Sequence, residues 1–224
     1  MAKDFSVFDI VGPNMIGPSS SHTAGAARLG KTASKIAGKP VKEVKFFLHG
    51  SFAETYKGHG TDKALVGGIL GFQPDDARIK NSFELANEQG VKFEFIKTDL
   101  GDNTHPNTVK MELLLEDGTK STVMGASIGG GNIKLTEMDG LALDFNGARA
   151  AVVLEIKDIP GAVAFVTGLL AHNNKNIATL STNKPAKSEY TFVTIETDEE
   201  LEKDLIEQLK KFEVVAKVVV LDKF

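Results

Sequence analysis

Ser19-Ser20-Ser21-His22-Thr23 sets four hydroxyl groups and one imidazole side by side. Hydroxyls both donate and accept hydrogen bonds, and an imidazole gains or loses a proton near neutral pH. Together they suit a seat for a carboxylate or phosphate beside a group able to move a proton. Two more imidazoles lie in punctuated stretches. His59 stands between Gly58 and Gly60 and is followed by Thr61 and Asp62. The flanking glycines let the backbone expose the ring and let a partner come close, and Asp62 could orient it. His105 precedes Pro106 and Asn107, so it is confined to an extended or turn conformation. Capping accounts for any single Ser or Thr, and turn geometry for a lone loop His. The whole run Ser19–Thr23 offers more donors than a cap requires.

The elements that must position these groups follow from spacing. Pro18 stops the preceding segment, and Ala26, Leu29, Ala33 and Ile36 recur at helical intervals, which predicts a helix from near Ser21. Its first turn leaves backbone N–H groups unpaired at the positive end of the helix dipole. Arg28 lies about two turns in, within reach of the same ligand if it faces the same way. Val41–His49 reads as a strand, with His49 a structural residue at its end. Phe52–Tyr56 reads as a helical turn, Lys63–Leu70 as a small helix, and Asp75–Gln89 as an amphipathic helix with Ile79, Phe83 and Ala86 inward. From Val91 the period changes to two. Val109–Leu115, Ser121–Ile128, Ile133–Met138 and Leu141–Phe145 are separated by Asp117-Gly118, Gly129-Gly130-Gly131 and Asp139-Gly140, which are hairpin signals. Gly129-Gly130-Gly131 is therefore a turn before it is a phosphate loop.

Residues 1–147 are thus expected to form an α+β domain with an antiparallel sheet. Asn146-Gly147 reads as a boundary. Residues 148–224 then run as strand Ala150–Lys157, a turn at Ile159-Pro160-Gly161, helix Ala162–His172, strands Ile177–Thr182 and Tyr190–Thr197, helix Glu199–Phe212 and strand Val214–Leu221. That order, βαββαβ, is ferredoxin-like, and the overall class is α+β. His172 is read as a favourable cation at a helix C-terminus.

Composition narrows the chemistry. The 224 residues are 42% hydrophobic and 25% charged, with a net charge of −4. Those values fit a globular chain without the basic footprint of a nucleic-acid binder. No run has the length or apolarity of a membrane span, and no leader pattern opens the chain, so a cytoplasmic location and no membrane partner are expected. The chain has no cysteine. Disulfides, thiolate metal sites and a Cys nucleophile are excluded, and any iron–sulfur cluster must be held by another polypeptide. A Ser–His hydrolase built on the Ser19–His22 run is set aside, because adjacent residues seldom point at each other at a helix start.

Phe8-Asp9-Ile10-Val11-Gly12-Pro13 together with Pro18–Gly25 resembles the beta subunit of bacterial iron–sulfur-dependent L-serine dehydratase. Gly50-Ser51-Phe52-Ala53-Glu54-Thr55-Tyr56-Lys57-Gly58-His59-Gly60-Thr61-Asp62, His105-Pro106-Asn107 and Ser127-Ile128-Gly129-Gly130-Gly131 carry the same resemblance. Residues 148–224, with Asp158-Ile159-Pro160-Gly161, resemble an ACT domain. The first region also resembles the allosteric substrate-binding type of domain found in some phosphoglycerate dehydrogenases. The resemblance implies conversion of L-serine to pyruvate and ammonia without pyridoxal phosphate. It implies a 4Fe–4S cluster ligated by a separate, cysteine-bearing alpha subunit, and no metal ligand in this chain. It also implies pairing of two copies through the ACT domain. On this footing His59 and His105 are expected to be catalytic. Ser19, Ser20, Ser21, His22, Thr23, Asp62 and Asn107 are expected to bind substrate, and Asp158 and Gly161 to be regulatory. The alternative is a purely regulatory protein that senses serine and does no chemistry. Whether the Ser19–Thr23 seat is allosteric or part of the active site stays open at this level.

Overall fold

The computed structural model describes residues 14–186 and 188–223 and divides after Gly140 into two compact units. The Phe8–Pro13 motif lies outside the described residues. In the first unit a π-helical turn, Ser20–Gly25, runs straight into helix α1 (Ala26–Ala37). Strand β1 (Val41–Leu48) follows, then α2 (Gly50–Thr55), α3 (Thr61–Ile69), a 3-10 turn Ala77–Asn81, α4 (Ser82–Glu88) and β2 (Lys92–Lys97). The rest is strand: β3 (Thr108–Leu115), β4 (Lys120–Gly129) and β5 (Asn132–Met138). These strands lie in the order β2-β1-β3-β4-β5, and β6 (Leu141–Phe145) follows past the division.

The sheet buries every second residue. Val44, Phe46 and Leu48 of β1, Val109, Met111 and Leu113 of β3, and Ile133 and Leu135 of β5 are at most 2% exposed. Helix α1 contributes Leu29, Ala33 and Ile36 to this core, and α3 contributes Ala64 and Leu65. The two helices touch backbone to backbone at Gly30 and Gly68, where a Cβ on either would overlap a main-chain carbonyl of the other helix. That close approach seats the Ser20–Gly25 turn beside the segment before α3.

Two expectations are corrected. The sheet is antiparallel except at its edge, where β1 and β2 pair in parallel, Phe46 opposite Phe95. Helices between the two strands carry the chain back to the same end, and a parallel pair needs such a crossover. The expected helix Asp75–Gln89 is broken in two. Asp76 turns its carboxylate onto the Arg78 amide at 2.9 Å, and Ser82 donates to the Lys63 carbonyl at 2.8 Å. A local bond at Asp76 and a tertiary one at Ser82 thus compete with a continuous helix. Ile79 and Ala86 are buried as expected, and Phe83 is half-buried against Phe93.

The second unit contains β7 (Ala150–Lys157), α5 (Ala162–His172), β8 (Ile177–Asn183), β9 (Tyr190–Thr197), α6 (Lys203–Lys210) and β10 (Val215–Leu221). Strands lie in the order β10-β7-β9-β8, all antiparallel, which is the ferredoxin-like arrangement expected. Its core is Val152, Leu154 and Ile156 of β7, Val193 and Ile195 of β9, and Val166, Leu170, Leu205 and Leu209 from the helices. Helix α6 is shorter than the expected Glu199–Phe212. Its acidic approach makes other bonds: Glu199 accepts from the Asn176 amide at 2.7 Å, and Glu202 pairs with the buried Lys175 at 2.6 Å.

Candidate functional site

Ser19 is extended, and its Oγ accepts from the His22 amide at 3.3 Å. It therefore caps the turn that follows. His22 lies within this π turn, a conformation frequent at functional sites. Gly25 closes the turn against β4, where a Cβ would overlap the Ser127 hydroxyl. His22 is then held at both ring nitrogens, Nδ1 lying 3.3 Å from Ser19 Oγ and Nε2 3.2 Å from Ser51 Oγ. Its ring meets Phe52 edge-on at 5.4 Å and His59 at 4.8 Å between centroids.

Ser51 arrives there because β1 ends in a sharp reversal. Gly50 takes φ +54° with Pro106 packed against it, the His49 amide donates to the Thr108 carbonyl at 3.0 Å, and the Phe52 amide donates to the Pro106 carbonyl at 3.3 Å. His59 is exposed, and its carbonyl accepts from Thr23 Oγ1 at 3.4 Å. Gly60 at φ +72° turns the chain from His59 into α3. His105 is exposed, its Nδ1 accepting from the Asn107 amide at 3.1 Å, and the Asn107 carbonyl accepts from the Ser127 amide at 3.0 Å. Four stretches far apart in sequence thus form one continuous neighbourhood. Ser19, His22, Thr23 and His59 interact within it, and His105 and Asn107 join it through Pro106 and Ser127.

Several polar groups there remain unspent. Ser20 and Ser21 are half-buried and make no side-chain hydrogen bond among the described residues. Thr61 Oγ1, Asn107 Oδ1 and Ser127 Oγ are buried with no protein partner. A buried polar atom left unpaired is costly, so such a set points to a bound molecule or water. Burial, and next the charge of His59, push the His22 pKa below its usual 6.5. Both causes hold the ring neutral at neutral pH.

The expected orienter of His59 is engaged elsewhere. Asp62 is 9% exposed and accepts from the Lys63 amide at 2.8 Å, and burial raises its pKa above the usual 3.8. Arg28 donates from Nη1 to the Gly131 carbonyl at 2.7 Å, clamping the three-glycine turn between β4 and β5. His49 accepts from the Leu100 amide at 3.1 Å, a structural use as expected.

Sequence reasoning missed Ser51 as a partner of His22, although its place after the strand-ending Gly50 was a usable signal. It also passed over Gly125-Ala126-Ser127-Ile128-Gly129, which has the Gly-x-Ser-x-Gly spacing of a nucleophile elbow. The structure places that pentapeptide inside β4 with Ser127 fully buried against Gly25, so it is no elbow. In the second unit, Asp158 accepts from Thr191 Oγ1 at 3.0 Å and pairs with Lys184, whose ammonium holds its carboxyl below the usual range. Gly161, at φ +89°, opens α5 on the rim of a pocket of about 420 Å³ lined by Ile159, Pro160, Phe165 and Phe212.

This chain's residues do not fit an iron–sulfur cluster. It has no cysteine, and among the described residues no three His, Asp or Glu side chains converge on a metal position. Among the described residues no helix is long and apolar enough to cross a membrane.

Residues 6–138 match the family described as serine dehydratase beta chain. The L-serine dehydratase beta chain of Peptoniphilus asaccharolyticus is 46% identical over 202 residues, 90% of this chain and 91% of that one. The probable L-serine dehydratase beta chain of Bacillus subtilis (strain 168) is 40% identical over 213 residues, 95% of this chain and 96% of that one. Among solved structures, the ACT domain from GTP pyrophosphokinase of Chlorobium tepidum is similar at 23% identity with a TM-score of 0.28, over 34% of this chain and 86% of that one.

Proposed function

We propose a mechanism on the premise that this chain belongs to the serine dehydratase beta-chain family, as its match over residues 6–138 and the identity to two beta chains establish. The chain is one subunit of a lyase of the L-serine dehydratase type, and a beta chain implies an alpha partner. In our reading the partner carries the 4Fe–4S cluster on its own cysteines, no pyridoxal phosphate takes part, and the assembled enzyme works in the cytoplasm. Residues 1–147 form the beta-chain domain and residues 148–224 an ACT-type regulatory domain that pairs two copies of the chain.

The observation that carries the reading is the seating of His22 between Ser19 and Ser51 and against His59, beside the unspent hydroxyls of Ser20 and Ser21. Those two hydroxyls donate to the carboxylate of L-serine at the start of the helix that continues into α1, while Ser19 and Thr23 shape the seat through their bonds to His22 and to the His59 carbonyl. His59, exposed on its glycine-flanked loop, moves a proton to or from the substrate, because elimination of water removes the α-hydrogen and the β-hydroxyl and imidazole suits either transfer. His105 and Asn107 complete the wall, Asn107 through its buried Oδ1. Buried Asp62 stiffens the loop that presents His59. In the second unit, Asp158 and Gly161 flank the regulatory pocket.

Reconstitution tests the assignment. The chain alone should bind no iron and form no pyruvate, and anaerobic mixing with its cysteine-bearing partner should yield pyruvate from L-serine. Pyruvate from the isolated chain overturns it. Replacing Ser21 and His22 together by Ala should lower kcat/KM for serine at least about tenfold in the assembled enzyme, with folding nearly unchanged. A change confined to substrate cooperativity makes the seat allosteric, and intact kinetics with a lower Tm returns it to a helix cap.

A further inference from the structure

The bonds around His22 have a direction. Ser19 Oγ already receives the His22 amide hydrogen at 3.3 Å, and the same oxygen lies 3.3 Å from Nδ1 of the same residue. Two hydrogens from one residue aimed at a single hydroxyl oxygen would crowd positive charge on it. The arrangement that avoids this has Ser19 accept the amide hydrogen and donate its own proton to Nδ1. Nδ1 is then an acceptor, and in a neutral ring the proton sits on Nε2. Ring neutrality is favoured by the burial and the neighbouring His59 charge already described. Nε2–H points at Ser51 Oγ, 3.2 Å away. Ser51 Oγ therefore accepts from the ring, and its own hydrogen must go elsewhere. Among the described residues this hydroxyl has no other partner.

We propose that Ser51 is a substrate-binding residue, its hydroxyl hydrogen aimed at the carboxylate of L-serine by a fixed Nε2–H tautomer of His22. His22 is in this scheme a positioning residue: it transfers no proton and sets which way Ser51 donates. The relay runs Ser19 O–H to Nδ1, Nε2–H to Ser51 Oγ, and Ser51 O–H to the ligand, and no bond breaks along it. The proposal rests on the substrate reading above for its ligand, and on geometry alone for its direction. Gly50 and Pro106 fix the start of α2, so the Ser51 hydroxyl loses little freedom on binding.

Two measurements separate the direction from the ligand. Nitrogen-15 imidazole spectra of the full chain should show His22 with a protonated Nε2 and a bare Nδ1, and Ser19→Ala should abolish that preference. A protonated Nδ1 in the wild-type chain overturns the relay, whether or not the reconstituted enzyme is active. In the assembled enzyme, Ser51→Ala should raise KM for L-serine about tenfold while kcat changes less than about threefold, and Ser51→Thr, which keeps the hydroxyl, should restore KM. An unchanged KM in Ser51→Ala overturns the substrate contact even if the tautomer is as stated. If wild-type reconstitution itself yields no pyruvate, the substrate reading and the carboxylate contact fall together, and the tautomer measurement alone judges the relay.

Discussion

His59 and Asp62 belong to one loop and make opposite demands on the fold. His59 is exposed, its carbonyl accepts from Thr23, and its ring meets the half-buried His22 ring without entering the core. His59→Asn should therefore leave stability nearly unchanged while lowering kcat more than it raises KM. Equal losses in kcat and stability in that variant would show a structural ring. Asp62 is buried, and its carboxyl is easier to protonate in the folded chain than at its usual 3.8. The unfolded chain therefore ionises first as pH rises past the ordinary value, and from there upward stability is lost and stays lost at neutral pH. Asp62→Asn keeps an oxygen for the Lys63 amide and removes that cost. Its Tm advantage over wild type should widen between pH 4 and pH 7; an advantage that shrinks over that range sinks the argument. Lower activity in the same variant would mark a stability cost retained for the site.

Helix packing decides a question that propensity alone answers wrongly. Alanine is the better helix former, by about 0.5–1 kcal/mol over glycine in a helix interior. Gly68→Ala in α3 nevertheless drives a methyl into the Ala27 carbonyl of α1. Overpacking of that kind costs about 1–3 kcal/mol. The clash wins, and the Ser20–Gly25 turn at the start of α1 should shift with it. Gly168, within α5, has nothing within 4 Å of its would-be Cβ, so Gly168→Ala should gain the propensity term. Chemical denaturation of the two variants should move the midpoint in opposite directions. A stabilised Gly68→Ala chain would show that the two helices can part without cost.

At the scale of the whole molecule, the second unit leaves an open edge. The strand β8 lies last in its sheet, with residues 178–182 exposed and Leu180 40% accessible. Such a row of unpaired backbone groups invites a second copy. The pairing we propose through this unit predicts that the full chain sediments as a dimer and that Leu180→Lys shifts it towards monomer. Gly161 has a positive φ, so Gly161→Val should weaken the dimer or the adjoining pocket, with the first unit's unfolding unchanged. A chain that is monomeric at all accessible concentrations argues against the pairing.

The order of elements was legible in the sequence because it depends on local period and turn residues. The alternation in Val109–Leu115, the glycines at 118, 129–131 and 140, and the βαββαβ order of residues 148–224 all appear in the structure at nearly the expected bounds. Lack of cysteine by itself placed any thiolate-held cluster outside this chain. Tertiary structure alone decided how β1 and β2 pair, since a parallel edge depends on where a crossover lands and leaves no mark in either strand's own period. It also set where Asp75–Gln89 breaks, because the carbonyl that Ser82 seeks belongs to Lys63, 19 residues away. The same holds at the site. Residue types named Ser19–Thr23, His59 and His105 one by one, but hydrogen-bond direction is a property of three-dimensional distances. Only the placement of Ser51, 29 residues from His22, showed which nitrogen faces which hydroxyl.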